Sequence, residues 1–185
     1  MKFVIVNGNP KNDGLCHSVA EAVIRGAEEG GAETEIVRPD AIARCHVCGG
    51  GWGPCRQSRK CSFGDDGFDS VKAAIAGADL LCIITPVYWH EMAEGLKSLI
   101  DRLRRCERGE DGGLAGKPVL LIASAGGTGN GIINCLHQME QFCRHTQLKV
   151  FDFIGVNRWN ADYKRGAAFA AAKAMALGRM PDDTI

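Results

Sequence analysis

The chain has 185 residues, carries no net charge with 22 basic and 22 acidic residues, and is 45% hydrophobic. These values are ordinary for a soluble globular protein, and they favour neither nucleic acid nor a membrane surface as a partner. We find no apolar run long enough to cross a bilayer and no signal peptide, so we expect a cytoplasmic protein.

The first informative stretch is a strand followed by a polar loop. Phe3 to Val6 form an apolar, β-branched run that is typical of a buried strand, and a helical period begins at Val19. A helix start attracts anions because its free N–H groups and the positive end of its dipole point the same way. We therefore predict a phosphate-binding loop, with an ordinary βα turn as the alternative. The candidate residues are Asn9, Lys11, Gly14, Leu15, Cys16, His17 and Ser18.

This loop resembles the one that opens flavodoxin-like flavoproteins, particularly the NADPH-dependent FMN reductase family. Members of that family typically carry Gly-Ser-Pro-Arg, then a few polar residues, then Gly and a Thr or Ser. Here Gly8-Asn9-Pro10-Lys11 and Gly14-Leu15-Cys16 fill those places. The resemblance implies that the loop binds the phosphate of FMN, with Cys16 as a neutral thiol in the usual hydroxyl position.

A second strand, Glu33 to Val37, leads into a cysteine-rich loop at residues 40–67. Four thiolates on a pliable backbone suit an iron–sulfur cluster or structural zinc. The loop partly resembles iron–sulfur flavoproteins, in which the run is Cys-x2-Cys-x2-Cys and a fourth Cys follows about five residues later. Here the middle gap is six residues, so a 4Fe–4S cluster and zinc stay open while we favour free or partly disulfide-linked thiols. In that metal-free arrangement Trp52 packs over the active-site mouth or against a neighbouring subunit. The candidate ligands are Cys45, Cys48, Cys55 and Cys61.

A predicted helix, Phe68 to Ala76, precedes a third strand, Asp79 to Ile84. Pro86, Val87, Tyr88 and Trp89 follow it, and their two aromatic rings could stack on a planar heteroaromatic ring. The alternative is that both rings fill core or a subunit contact. The segment resembles the Pro-x-Tyr-Trp of the FMN reductase family, as do Leu96-Lys97 and Asp101-Arg102 on the next helix. We assign Lys97, Asp101 and Arg102 to ion pairs on that helix or across a subunit interface.

A third loop follows the fourth strand, Lys117 to Ala123. Its glycines allow close backbone approach and expose free amides, which suits the polar edge of a flavin ring. A flexible surface loop is the alternative. The candidate residues are Ala125, Gly126 and Gly127. The rest of the chain is predicted as a helix over 131–145, a strand over 148–155 and a helix over 161–177.

Five strands that alternate with helices predict a parallel sheet covered on both faces. The family resemblance implies a flavodoxin-like, doubly wound sheet in the order 2-1-3-4-5, and we expect residues 1–185 to form one domain. Ligands bind such sheets at the carboxyl ends of the strands.

The resemblance implies an FMN-dependent oxidoreductase that passes electrons from NAD(P)H or a protein donor to a quinone, a flavin or another small acceptor. Because the flavin supplies the redox chemistry, we predict no catalytic side chain. The alternatives are an electron carrier, either flavodoxin-like or iron–sulfur flavoprotein-like, and a scaffold or sensor that needs no flavin. The zero net charge argues against a flavodoxin. The resemblance also implies a homodimer or homotetramer.

Overall fold

The computed structural model describes residues 1–51, 53–63 and 65–179. Its sheet has five parallel strands in the spatial order β2-β1-β3-β5-β6, which confirms the predicted topology. The parallel strands are β1 (Lys2–Asn7), β2 (Glu33–Val37), β3 (Leu80–Tyr88), β5 (Pro118–Ala125) and β6 (Lys149–Asn157). A two-residue strand, β4 (Glu91–Met92), pairs antiparallel with the end of β3.

Helices cover both faces of the sheet. The helices α1 (Gly14–Glu29) and α6 (Ala161–Ala176) pack on one face. The opposite face carries α3 (Phe68–Ala76), α4 (Glu94–Cys106) and α5 (Ile132–Thr146). Successive residues of a strand point to opposite faces, so Phe3 and Ile5 pack toward α1 while Val4 and Val6 pack toward α4. This double burial is why β1, β3 and β5 are almost continuously apolar.

Two predicted boundaries were wrong by four or more residues. Helix α1 begins at Gly14 rather than at Val19, because the polar residues of its first turn hide the helical period. Strand β3 continues beyond Ile84 to Tyr88, since Thr85 and Pro86 pair with β5 and the last two residues pair with β4. Pro86, Val87 and Tyr88 therefore lie within a strand and not in the loop after it.

The cysteine-rich segment runs along α4. It contains one 3-10 turn, Cys48–Gly51, and one short helix, α2 (Cys55–Ser58), and α2 contacts α4. The α4 residues at Gly95, Ser98, Arg102 and Arg105 follow a helical spacing and face this segment. None of the described helices combines the length and the apolarity that a membrane span requires.

Candidate functional site

The loop between β1 and α1 is fixed by asparagine side chains. The Asn9 amide donates to the Asn7 side chain at 3.0 Å, and the Asn9 side-chain oxygen accepts from the Lys11 amide at 3.2 Å. Arg38, at the end of β2, donates to the Asn9 carbonyl at 2.7 Å and to the Asn12 side chain at 2.8 Å. Asn9 is therefore a buried residue that stabilises the loop. The sequence analysis did not predict the hydrogen bonds of Arg38 to this loop.

The first turn of α1 keeps free backbone donors. Asp13 occupies the N-cap position, but its side chain makes no capping hydrogen bond, and Gly14 has a φ of 79°. The amides at the start of α1 are thus left without a side-chain acceptor at the positive end of a 16-residue helix. This arrangement fits an anion, and phosphate binding by the loop stays a prediction.

The side chains predicted around this turn divide into two groups. Lys11 is exposed, whereas Cys16 lies in the core beneath the helix start. Burial raises the pKa of the Cys16 thiol to about 12, so the thiol is neutral. His17 pairs with Glu21 at 3.3 Å, and the Ser18 hydroxyl donates to the Leu15 carbonyl at 2.9 Å.

The second predicted flavin-binding segment, Pro86 to Trp89, ends in a tight hairpin. Trp89 and His90 join β3 to β4 with φ angles of 50° and 70°, the type of turn that normally needs Asn-Gly. The His90 carbonyl accepts from the Asn134 side chain at 2.9 Å, which ties the turn to α5. Trp89 is 95% exposed and Tyr88 is 44% exposed. Trp89 therefore does not fill the core of the chain, and its ring is accessible.

The three predicted loops lie on adjacent strands. The Gly8 amide donates to the Ile84 carbonyl at 2.8 Å, which joins the first loop to β3. Pro86 pairs with Ser124, and Ala125 is the last residue of β5 and not part of the loop as predicted, so Gly126 and Gly127 follow directly beside the second loop. A Cβ atom at Gly126 or Gly127 would meet no atom within 4 Å. The backbone of this third loop is thus open to a ligand at the carboxyl edge of β1, β3 and β5.

The cysteine-rich loop brings its four candidate ligands to one small cavity. Cys45, Cys48, Cys55 and Cys61 all line it, together with Cys106 at the end of α4. Its volume of about 20 Å³ has room for about one water molecule. Among residues 1–51, 53–63 and 65–179, no three histidine, cysteine or acidic side chains are arranged to hold a metal ion. The predicted position of Trp52 lies outside the described residues.

Arg102 closes this cavity from the side of α4. It is 2% exposed and pairs with both carboxylate oxygens of Asp66, at 2.5 and 3.1 Å. It also donates to the Ala43 carbonyl at 3.2 Å. The guanidinium beside Asp66 lowers the pKa of that carboxyl group. The predicted ion pair of Lys97 with Asp101 forms within α4 at 2.5 Å, whereas the prediction for Arg102 was wrong because its partner belongs to the cysteine-rich loop.

A second cavity of about 560 Å³ opens beside the predicted flavin loops. Gly8 and Tyr88 form part of its wall, and Gly95 and Ser98 line it from α4. The sequence analysis missed Ser98. The available signal was its helical spacing with Gly95, Arg102 and Arg105 on α4, among residues that otherwise pack into the core.

Comparisons with known proteins agree with this architecture. The sequence model of a family described as NADPH-dependent FMN reductase matches residues 1–158. An iron–sulfur flavoprotein of Methanosarcina thermophila is 31% identical over 104 residues, which is 55% of this chain. The match spans about half of that relative, 52% of its length.

Two further comparisons cover more of the chain. An NADPH azoreductase of Bacillus sp. strain OY1-2 is 27% identical over 140 residues, 76% of this chain and 67% of the relative. The solved structure of an NAD(P)H:quinone oxidoreductase from Methanothermobacter marburgensis superposes with a TM-score of 0.68. It is 17% identical, with 100% of this chain and 98% of that chain covered, so this likeness concerns the fold.

Proposed function

The chain belongs to the NADPH-dependent FMN reductase family, and from that premise we propose that it transfers electrons from NAD(P)H through FMN to a small acceptor. Membership confirms the predicted family, and it supports FMN as the cofactor and an FMN-dependent NAD(P)H oxidoreductase as the class. The identity of the acceptor and the roles of individual residues belong to the proposal.

The observation that carries the proposal is the convergence of three loops at one edge of the sheet. The free amides at the start of α1 and the exposed Lys11 supply a positive region for the FMN phosphate. The accessible rings of Tyr88 and Trp89 offer stacking surfaces for the flavin ring. Gly126 and Gly127 offer backbone groups with open space around them for its polar edge.

FMN, when bound, supplies hydride and electron transfer, so the chain does not need an acid, a base or a nucleophile of its own. We accordingly assign no catalytic side chain. The protein's part is to bind the phosphate, to orient the ring between the second and third loops, and to leave one side accessible to donor and acceptor.

We propose NAD(P)H as the donor, and a quinone, a free flavin or an azo compound as the acceptor. The test is an anaerobic spectrum of the FMN-loaded chain before and after addition of NADPH or NADH. Bleaching of the flavin absorbance, followed by its recovery when menadione or an azo dye is added, is the expected result. A flavin that neither nicotinamide bleaches would instead support an electron carrier served by a protein donor.

An iron–sulfur electron-transfer flavoprotein is the second candidate, and the four thiols around one cavity favour it. We place it second because the six-residue gap departs from the family spacing and the thiols are not arranged around a metal. Anaerobic purification with an assay of iron and acid-labile sulfide separates the candidates. About four of each per chain, lost in Cys55→Ser, would establish the cluster. A colourless protein without iron or flavin would point instead to the scaffold or sensor.

We also propose that the chain forms one domain, works in the cytoplasm and assembles as a homodimer or homotetramer. All nine cysteines are free thiols, which fits a reducing compartment. Light scattering of the purified chain tests the assembly.

A further inference from the structure

The large cavity beside the flavin loops has a firmly held wall. Ala43 lines it, and the Ala43 amide donates to the Asp66 carboxylate at 2.9 Å. The Ala43 carbonyl accepts from Arg102, so both polar groups of this wall residue are fixed by one buried ion pair. The opposite wall is the first two turns of α4, where Gly95 and Ser98 lie. The cavity is therefore built between two fixed surfaces.

Ser98 is the unexplained polar group in this cavity. Its side chain lies on the buried side of α4 with a residue exposure of only 8%, and it lines the cavity. Its hydroxyl makes no hydrogen bond to any of the described residues. The hydroxyl oxygen is not itself sealed from solvent, so it is open to the cavity. A ligand in the cavity can supply the missing partner.

Backbone amides at the start of α4 are further hydrogen-bond donors near the Ser98 hydroxyl. Helix α4 begins after Ala93 without a side-chain cap, so the amides of its first turn point toward the cavity end of the helix without a side-chain acceptor. The Ala93 amide is already used, because it donates to the Thr85 hydroxyl at 3.0 Å. Ser98 and the first-turn amides at Glu94 and Gly95 thus form a group of donors at the positive end of α4.

Charged residues of both signs line the cavity, so neither an anion nor a cation is favoured as its ligand. Arg44 lines it, but so do the carboxylates of Asp40 and Glu94. Asp40 pairs with Arg38 at 2.8 Å, whereas Glu94 is exposed. Ile42 and the ring of Tyr88 provide apolar surface. The cavity suits an uncharged molecule that carries an oxygen acceptor.

We propose that Ser98, together with the first-turn amides of α4, binds a carbonyl oxygen of an uncharged quinone acceptor and so determines acceptor specificity. This inference rests on the proposed function. When NAD(P)H and one proton reduce a quinone, the quinone gains two electrons and two protons and leaves as the hydroquinone. Negative charge develops on the carbonyl oxygen during this reduction, where hydrogen-bond donors and the positive helix end stabilise it.

The test compares the FMN-loaded wild-type chain with Ser98→Ala. We expect the calorimetric Kd for menadione and the KM for menadione to rise about threefold to tenfold, the effect of one lost neutral hydrogen bond. The Kd for FMN and the rate with ferricyanide, an anionic acceptor without a carbonyl group, are expected to stay unchanged. Ser70→Ala, which removes an exposed hydroxyl on α3, is the matched control.

Ser98→Thr keeps a hydroxyl and is expected to restore most of the menadione affinity. Equal menadione Kd values for the wild-type chain and Ser98→Ala would overturn the inference. So would a weakened FMN Kd in Ser98→Ala, because it would place the flavin itself in the cavity. If NAD(P)H fails to reduce the bound flavin, the proposed function fails, while the menadione Kd values still decide the role of Ser98.

Discussion

Arg102 carries a permanent charge on the inner face of α4, where a lone charge would be very costly. Its cost is offset by the bidentate pair with Asp66, by the Ala43 carbonyl and by the ring of Phe68, whose centroid lies 4.1 Å from the guanidinium carbon. The pair spans 36 residues of sequence. It therefore fixes the cysteine-rich segment to the helix that lines both cavities.

Asp66→Asn leaves this guanidinium without its counter-charge, and we expect a loss of roughly 3–5 kcal/mol in the free energy of unfolding at neutral pH. The pKa of Asp66 is lower in the folded chain than in the unfolded chain. Its contribution is thus complete above the unfolded pKa, near 4, and is lost as pH falls through the folded pKa. Urea unfolding at neutral and acid pH measures both effects.

The control for this prediction is Asp162→Asn, which removes a carboxylate that is 98% exposed. It should change stability by less than about 1 kcal/mol. If the difference between wild type and Asp66→Asn were as large in acid as at neutral pH, ionisation of Asp66 would not be its source.

Trp89 is held outward in a conformation that L-residues rarely adopt. An exposed aromatic side chain on a strained backbone at the edge of the sheet is a candidate for ligand contact. We expect Trp89→Ala to change flavin fluorescence and to weaken FMN by about 1 kcal/mol beyond the lost area. Trp159→Ala, at another exposed tryptophan, is the control. Equal FMN affinity in the wild type and Trp89→Ala would return Trp89 to a structural role.

Some of the candidate site residues could be predicted from the sequence, and others could not. The polar loop, the adjacent aromatics and the glycine loop were recognisable because each is a local pattern after an apolar strand. The partner of Arg102 was not, since nothing in the neighbourhood of Asp66 specifies which cation it meets. Ser98 was also missed, because its contact with the cavity depends on where residues 38–44 fold.

At the scale of elements, α1 and α6 pack closely against each other. A Cβ atom at Gly26 would lie 2.2 Å from the Phe169 carbonyl oxygen. Gly26 has no positive φ, so its role is the close approach of two helices and not an unusual backbone.

Gly26→Ala is therefore expected to destabilise the chain by about 1–3 kcal/mol, because the helices must separate to admit the methyl group. Gly166→Ala is the matched control, since Gly166 lies in α6 and a Cβ atom there would meet no atom within 4 Å. It should stabilise by about 0.5–1 kcal/mol through its helix propensity. Thermal unfolding of both variants measures the contrast, and equal shifts would refute the packing argument.

Periodicity was a good guide to elements with one clear apolar face. It placed α3 at the observed bounds. It missed the β3–β4 hairpin because Trp-His gives no turn signal, although the two residues adopt the turn that Asn-Gly favours. Tertiary contacts with Asn134 hold the turn in place of local preference.

At the scale of the whole molecule, strand order determines which loops become neighbours. Placing β1 between β2 and β3, with β5 beyond β3, brings the three predicted flavin loops to one edge. The same order places residues 38–44 over the start of α4 and creates the large cavity. The sequence could predict the first arrangement from alternating strands and helices, but not the second, because an irregular segment has no period to follow.

The central claim is that the loop from Gly8 to Ser18 binds the phosphate of FMN. The direct measurement is the Kd of the full chain for FMN and for riboflavin, before and after Lys11 and Ser18 are both replaced with Ala. We predict that the double variant weakens FMN about tenfold or more while riboflavin binding is nearly unchanged, since only FMN carries a phosphate for this loop to bind. An equal loss for both ligands would contradict the account.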